Sequence, residues 1–503
     1  MLLMGIDVGT TGAKAAVFDE TGAQKGYGFE EYGIRCPRPG WAEQDAEEVW
    51  RITKKVIAGA AARPGPDIEA LALSVQGDAV IPIGKDRGAL APAQLGMDYR
   101  GAAEAGYTES IFGGPWLFRH TGMRPHPLNS LVKILWIKNH QPELFEKTWK
   151  FATYGDYILG KLGSDDMVID YTMASRTMAL DIRAKDWSGP VLDRLGIPEE
   201  KLARVTPSAR VVGRLPASLA EELGIKAGTL IVSGGHDQTC AALGAGIVGE
   251  DTALDSHGTA EVVSAAFFRP RLDGLMYDSF YPCYLHAVSD MYFTFSLNHT
   301  GGILLKWFVE NFCGADAAEA EKKGERLYEF VLREGYAGAP SPVMVLPHFN
   351  GSGTPTCSTG AKGAILGLTM GTTRHDIARA INEALSFELR INLETLDRAG
   401  IAVSRLRCAG GGARSPIGLR SKADITGRPF STLKVREAAC LGGAMLAGMA
   451  AGIYKDAGEA ARIVQTDTTW EPDMKNHRIY EERFDIYKRM YDTLTVKKLI
   501  GGL

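Results

Sequence analysis

The chain has 503 residues, enough for roughly three folding units at ~150 residues each, which excludes a single small module. Hydrophobic residues make up 45% and charged residues 23%, with 59 Gly and 23 Pro, a balance that excludes a disordered or fibrous chain. A net charge of -4 without any long Lys/Arg block argues against nucleic acid as a partner.

Seven cysteines lie far apart with no CxxC pair, so neither a disulfide framework nor a zinc knuckle is expected. Only six residues precede Asp7, too few for the apolar region of a signal peptide, and the expected location is the reducing cytoplasm. The uncharged, apolar run 438–454 carries four glycines and falls short of the ~20 apolar residues that cross a bilayer. It predicts a buried helix packed through small residues, and no membrane partner.

In chain order, strands are expected at 2–6 and 15–18, joined by the turn Asp7-Val8-Gly9-Thr10-Thr11-Gly12. Helical spacing of Val49, Trp50, Thr53, Val56, Ile57 and Ala60 predicts a helix over 45–62, with Asp45 as its N-cap. A strand at 68–75, helices at 128–138 and 154–162, and a strand at 230–232 follow, an alternation that argues for an α/β fold. The first domain is expected over 1–246 and a second over 247–503.

The second domain opens like the first: a strand at 252–255, the turn Ser256-His257-Gly258-Thr259, and a strand at 261–265. If two such turns face each other across a cleft, their backbone N–H groups and hydroxyls form two half-sites for one polyphosphate. Helices are then expected at 300–312, 317–334, 373–399 and 435–453, with strands at 343–346 and 405–409. The last helix carries Tyr480, Phe484, Tyr487, Tyr491 and Leu494 in a 4-3-4-3 stripe that reads as core.

Several segments could carry chemistry. The first turn, with Asp7, Gly9, Thr10, Thr11 and Lys14, offers glycines for close backbone approach, hydroxyls, an ammonium, and a carboxylate for a metal. It lacks the Walker A pattern and returns into a strand, so an ordinary Gly-rich hairpin is the competing reading. Gly244-Ala245-Gly246-Ile247-Val248-Gly249 satisfies GxGxxG but follows a helix and precedes a strand, the wrong context for a dinucleotide site. Ser233-Gly234-Gly235-His236-Asp237-Gln238 places Asp237 at a helix start, as either a cap or a base. Gly410-Gly411-Gly412-Ala413 joins a strand to a helix and lets a flat ring lie against the backbone.

Together and in this order, these segments resemble the FGGY carbohydrate kinases, ATP-dependent sugar and polyol kinases of the actin-like, ribonuclease-H-like fold. The resemblance spans nearly the whole chain. It includes the segments beginning at Ser130 (SLVKILWIKNH) and Gly363 (GAILGL), and the run Asp376 to Glu383 (DIARAINE). It implies two such α/β domains flanking a catalytic cleft, with the first mainly binding sugar and the second mainly ATP.

By this resemblance Asp237 is the catalytic base, Asp7 the magnesium-linked carboxylate with Asp237 beside it, and Thr10, Thr11 and Thr259 the phosphate contacts. Gly9, Lys14 and Gly258 complete the phosphate turns, and Gly410, Gly411, Gly412 and Ala413 form the adenosine turn. Asp78 and Asp98 fall at sugar-contact positions, with Gln76, Arg100 and Gln238 as further contacts. ATP and Mg²⁺ are the implied cofactors, and a homodimer is one assembly the resemblance allows.

The chain departs from its relatives at Gly77, Gly96 and Gly418, where larger side chains are common. The glycines at 77 and 96 point away from glycerol, toward a five- or six-carbon ketose or polyol, with xylulokinase-like activity as the best match. The alternatives are an actin-like or heat-shock-like ATPase without a sugar substrate, and a catalytically inactive sugar sensor.

Overall fold

The computed structural model describes residues 1–335 and 340–496. Thirteen of its strands form two large sheets that separate along the sequence. The first sheet runs, edge to edge, Val211–Arg214, Leu230–His236, Ile68–Val75, Leu2–Val8, Gly12–Asp19 and Gln24–Glu31. The second runs Tyr284–Leu285, Tyr292–Asn298, Glu261–Phe267, Thr252–His257, Arg405–Ala409, Phe430–Leu433 and Thr466–Trp470.

The repeat expected from the two Gly-Thr turns extends to their sheet neighbours. Leu2–Val8 pairs antiparallel with Gly12–Asp19 and parallel with Ile68–Val75. Thr252–His257 likewise pairs antiparallel with Glu261–Phe267 and parallel with Arg405–Ala409. A buried parallel strand on one side and a tight hairpin on the other fix each turn at the carboxyl end of a central strand, where open α/β sheets present their ligand sites.

Two helices lock the halves together by crossing. Asp237–Gly244 follows the last strand of the first sheet, yet its Ala242 belongs to the apolar cluster of the second, with Leu254, Ala266 and Phe293. Ala438–Ala450 follows the second-sheet strand Phe430–Leu433, and its Leu441, Met445 and Leu446 pack on Leu3, Ala70 and Val232 of the first. The backbones touch where they cross. A Cβ at Gly244 would sit 1.8 Å from the Ala438 carbonyl oxygen, and one at Gly442 1.9 Å from that of Cys240. The glycines of this uncharged run thus permit a helix crossing. Among the described residues no helix is long and apolar enough to cross a membrane.

The single helix expected over 317–334 is two, Ala317–Lys322 and Leu327–Glu334, because the chain turns at Gly324 with φ 66°. The final helix, Met474–Tyr491, buries Tyr480, Phe484, Tyr487 and Tyr491 as the stripe predicted.

Candidate active site

The first turn is held from behind. Gln76 Nε2 and Tyr32 Oη both donate to the Gly9 carbonyl, at 3.1 and 2.5 Å, and Gln44 Nε2 donates to the Thr10 carbonyl at 2.6 Å. Tyr154 Oη donates in turn to Gln44 Oε1 at 3.1 Å. With its carbonyls tied inward, the turn leaves Thr11 exposed and Thr10 half-buried. Asp7 accepts a 2.7 Å hydrogen bond from Ser74 Oγ, and burial raises its pKa against that bond and the Lys14 charge. Lys14 reaches across to Glu437, 2.9 Å away, at the start of the crossing helix.

Gln76, expected as a sugar contact, is 4% exposed and braces the phosphate turn with its Nε2. Gln44, Tyr32 and Tyr154 carried no motif and escaped the sequence reading. Only the fold brings them beneath the turn.

On the facing half, Gly258 and Thr259 are exposed, and the adenosine turn sits directly on their strand. A Cβ at Gly410, where φ is 83°, would lie 2.6 Å from the His257 carbonyl oxygen, and one at Gly412 2.4 Å from His257 Cγ. Lys422, from the helix Pro416–Thr426, is buried between Asp255 and Glu261, 2.5 Å from each, and 2.9 Å from His257 Nδ1. Burial alone would lower the Lys422 pKa, but the two carboxylates raise it. The ammonium therefore ties the adenosine helix to the second phosphate turn. A cleft of about 1060 Å³ opens beside these elements, lined by Lys14, Gly410, Gly411, Ala413 and Glu437.

Asp237 is the first residue of its helix, not the cap. The cap position is His236, which makes no side-chain capping bond, so the helix-cap reading of Asp237 is set aside. A third of the Asp237 side chain remains exposed, yet surrounding protein and the nearby Asp7 charge push its pKa up to about 7. His236 Nε2 lies 3.3 Å from Asp237 Oδ1, and its Nδ1 3.2 Å from Tyr284 Oη of the second sheet. Burial and the Arg176 charge keep this imidazole neutral. Beside Asp237, Gln238 Oε1 is shielded from solvent without a hydrogen-bond partner.

Asp78 and Asp98 have different fates. Asp78, at φ 68°, holds Arg176 in a bidentate pair, Nε to Oδ1 at 3.2 Å and Nη2 to Oδ2 at 2.7 Å. Asp98 is fully buried, and both its oxygens are occupied. Oδ1 accepts from the Arg100 backbone N–H and Nε, and Oδ2 from the Ala42 N–H and Arg100 Nη2. Arg100 also pairs with Glu43 and stacks 3.6 Å from the Trp41 ring centroid. Asp98 and Arg100, expected at the sugar, are thus bound to each other, to Ala42 and to Glu43.

Gly77 also reads differently in three dimensions. A Cβ there would come within 2.7 Å of His236 Nε2 and 3.6 Å of Arg176 Nε, so the space it leaves is filled. At Gly96 a Cβ would meet Asp78 Cβ at an ordinary 3.5 Å. Arg176 ends a six-residue helix with no local signature, which is why the sequence reading missed it.

Comparison with known proteins agrees with this arrangement. Residues 2–244 match the model of the N-terminal domain of the FGGY family of carbohydrate kinases, and residues 256–451 that of its C-terminal domain. The chain is 27% identical over 496 residues to a xylulose kinase of Bacillus subtilis (strain 168), covering 97% of this chain and 96% of that protein. It is 28% identical over 505 residues to a glycerol kinase of Deinococcus radiodurans, covering 97% and 95%. The ligand-bound xylulose kinase from Lactobacillus acidophilus superposes with a TM-score of 0.89 over 98% of both chains at 25% identity, which places the two domains in the actin-like, ribonuclease-H-like fold. The chain therefore belongs to the FGGY family of carbohydrate kinases and is an ATP-dependent sugar kinase.

Proposed function

We propose that this kinase transfers the γ-phosphoryl group of ATP to a hydroxyl of an uncharged ketose or polyol, with Asp237 as the general base. The observation that carries the reading is Asp237 itself: a carboxylate one-third exposed, its pKa raised to about 7, at the start of the helix that joins the two halves. A base poised near working pH combines sufficient ionisation with sufficient basicity. The orphan Gln238 Oε1 beside it is an acceptor for a second substrate hydroxyl.

Phosphoryl transfer needs mainly positioning and charge stabilisation. The Thr10, Thr11 and Thr259 hydroxyls are offered to the phosphates, while Gly410, Gly411, Gly412 and Ala413 flank the adenosine side. Asp237 takes the proton from the attacking oxygen. Asp7 and Asp237 raise each other's proton affinity, a tension that a cation relieves, and both are oxygen donors of the kind Mg²⁺ takes alongside nucleotide phosphates. Bound there, Mg²⁺ would neutralise charge on the phosphates.

The proposed acceptor has five or six carbons, as in the xylulose of one relative's name. The size argument rests on Gly96, since His236 fills the space at Gly77. The pH profile tests the reading. With a neutral pentulose or pentitol as acceptor, kcat/KM should rise with pH as Asp237 loses its proton, through a midpoint no higher than about 7, because a cation beside the carboxylate favours its ionised form. A profile flat from pH 5 to 9 in the wild type would contradict the assignment.

A further inference from the structure

The wall facing Asp237 holds a buried cation whose charge is already answered. Arg176 is 6% exposed at its side chain and fixed by both oxygens of Asp78. Its guanidinium lies 5.5 Å from the Tyr284 ring centroid and 5.4 Å from that of Phe295, both contributed by the second sheet. Nε and Nη2 are spent on Asp78, and Nη1 has no partner among the described residues. Next to it, His236 occupies the space left by Gly77 and approaches Asp237.

Asp78 is thus in the same position as Asp98: a carboxylate consumed by an arginine. The difference lies in the arginine. Both leave Nη1 without a hydrogen-bond partner among the described residues, but Arg100 answers two carboxylates and a tryptophan face, whereas Arg176 answers one carboxylate and stands beside His236, the neighbour of the base. A guanidinium held rigidly by a bidentate carboxylate loses little freedom when it donates again, which suits recognition of a second oxygen.

Resting on the kinase reading above, we propose that Arg176, and not Asp78, reads the acceptor, its Nη1 edge donating to a substrate oxygen near the reacting hydroxyl. Asp78 is a positioning residue that acts only through Arg176. Because the pair is already neutral, and Asp237 adds a negative charge when ionised, the site favours uncharged ketoses and polyols over sugar acids. A substrate carboxylate would bring a third anion to a single guanidinium.

The test is a set of variants assayed with ATP against a panel of pentuloses, pentitols and hexuloses, with gluconate as the charged member. Arg176→Leu should raise the acceptor KM by at least ~10-fold, the scale of losing a charged hydrogen bond, while the ATP dissociation constant stays within about threefold. In that background Asp78→Asn should add nothing to the acceptor KM. In the wild-type background Asp78→Asn frees the guanidinium and should raise kcat/KM for gluconate relative to the neutral panel.

Asp78→Asn alone leaves a buried, unpaired cation and risks unfolding. In that case the comparison of Arg176→Leu with the Asp78→Asn/Arg176→Leu double variant, checked by thermal melting, carries the test. A further loss of ~10-fold or more in acceptor binding from Asp78→Asn in the Arg176→Leu background would mean that Asp78 contacts the sugar itself, and would overturn the proposal. So would a wild type that prefers gluconate. A wild type that consumes ATP with no member of the panel would instead overturn the proposed acceptor class, and the proposal with it.

Discussion

At the scale of the residue, the chemistry rests on how a carboxylate is surrounded. Asp237, Asp98 and Asp78 are the same side chain in three settings, and of the three only Asp237 is partly exposed and without an arginine partner. Its environment has a cost in stability, with a definite sign. The Asp237 pKa is raised from 3.8 to about 7 on folding, so between those values the folded state holds more protons than the unfolded one. Its contribution to stability therefore falls as pH rises from about 4 to 7 and stays low above that. Asp237→Asn removes this ionisation. The variant should melt at or above the wild-type temperature at pH 8, and the difference should shrink toward pH 4. A variant that melts well below the wild type at pH 8 would show that the carboxylate is structural.

The local setting of residues whose neighbours lie nearby in sequence was legible: Asp7 at the end of its strand before the Gly-Thr turn, Asp237 at a helix start after Ser-Gly-Gly, and the glycines 410–412 between a strand and a helix. The protein partners of Gln76, Asp98 and Arg100 were not legible, because sequence position says nothing about whether a polar atom is already taken. That is decided by Gln44, Glu43 and Trp41, which reach them through the fold. Arg176 was missed for the same reason, since its partner is 98 residues away.

At the scale of the element, the crossing of Asp237–Gly244 over Ala438–Ala450 sets where the base stands. A Cβ at Gly442 would collide with the Cys240 carbonyl, one turn into the helix that Asp237 begins. Gly442→Ala should cost about 1–3 kcal/mol, the usual price of overpacking, and lower kcat as well, because the Asp237 helix must shift to admit the methyl. Chemical denaturation and steady-state rates check both, and an unchanged rate in a destabilised protein would separate the packing from the base.

The second element-level tether is Lys422. Lys422→Met strands Asp255 and Glu261 without their cation, a loss of about 3–5 kcal/mol for a broken buried pair. Because Lys422 joins the adenosine helix to the second phosphate turn, ATP binding should weaken more than acceptor binding, as calorimetry on the folded fraction would measure. Equal losses for both ligands would refute the tether. Helices and strands were mostly legible from periodicity. The break at Gly324 was not, because an isolated glycine inside a helical pattern is tolerated as often as it turns.

At the scale of the whole molecule, one hairpin design is used twice and the two copies are bolted together by exchanged helices. Each half then offers a Gly-Thr turn, one beside the base and the other beneath the adenosine turn. The repeat could be read in sequence as two Gly-Thr turns between short strands. The exchange could not, because an uncharged helix with glycines announces close packing without naming its partner. The family places the molecule among the sugar kinases; the wall of Arg176, His236 and Asp78 is where this chain's own selectivity would lie. The most direct measurement is product formation. Purified protein is incubated with ATP, Mg²⁺ and each member of a panel of neutral ketoses and polyols, and ATP consumed is compared with phosphorylated sugar detected by mass spectrometry. The account predicts one phosphorylated, uncharged five- or six-carbon acceptor per ATP consumed, with glycerol and gluconate both ranking below it. ATP hydrolysis that no ketose or polyol accelerates would contradict it.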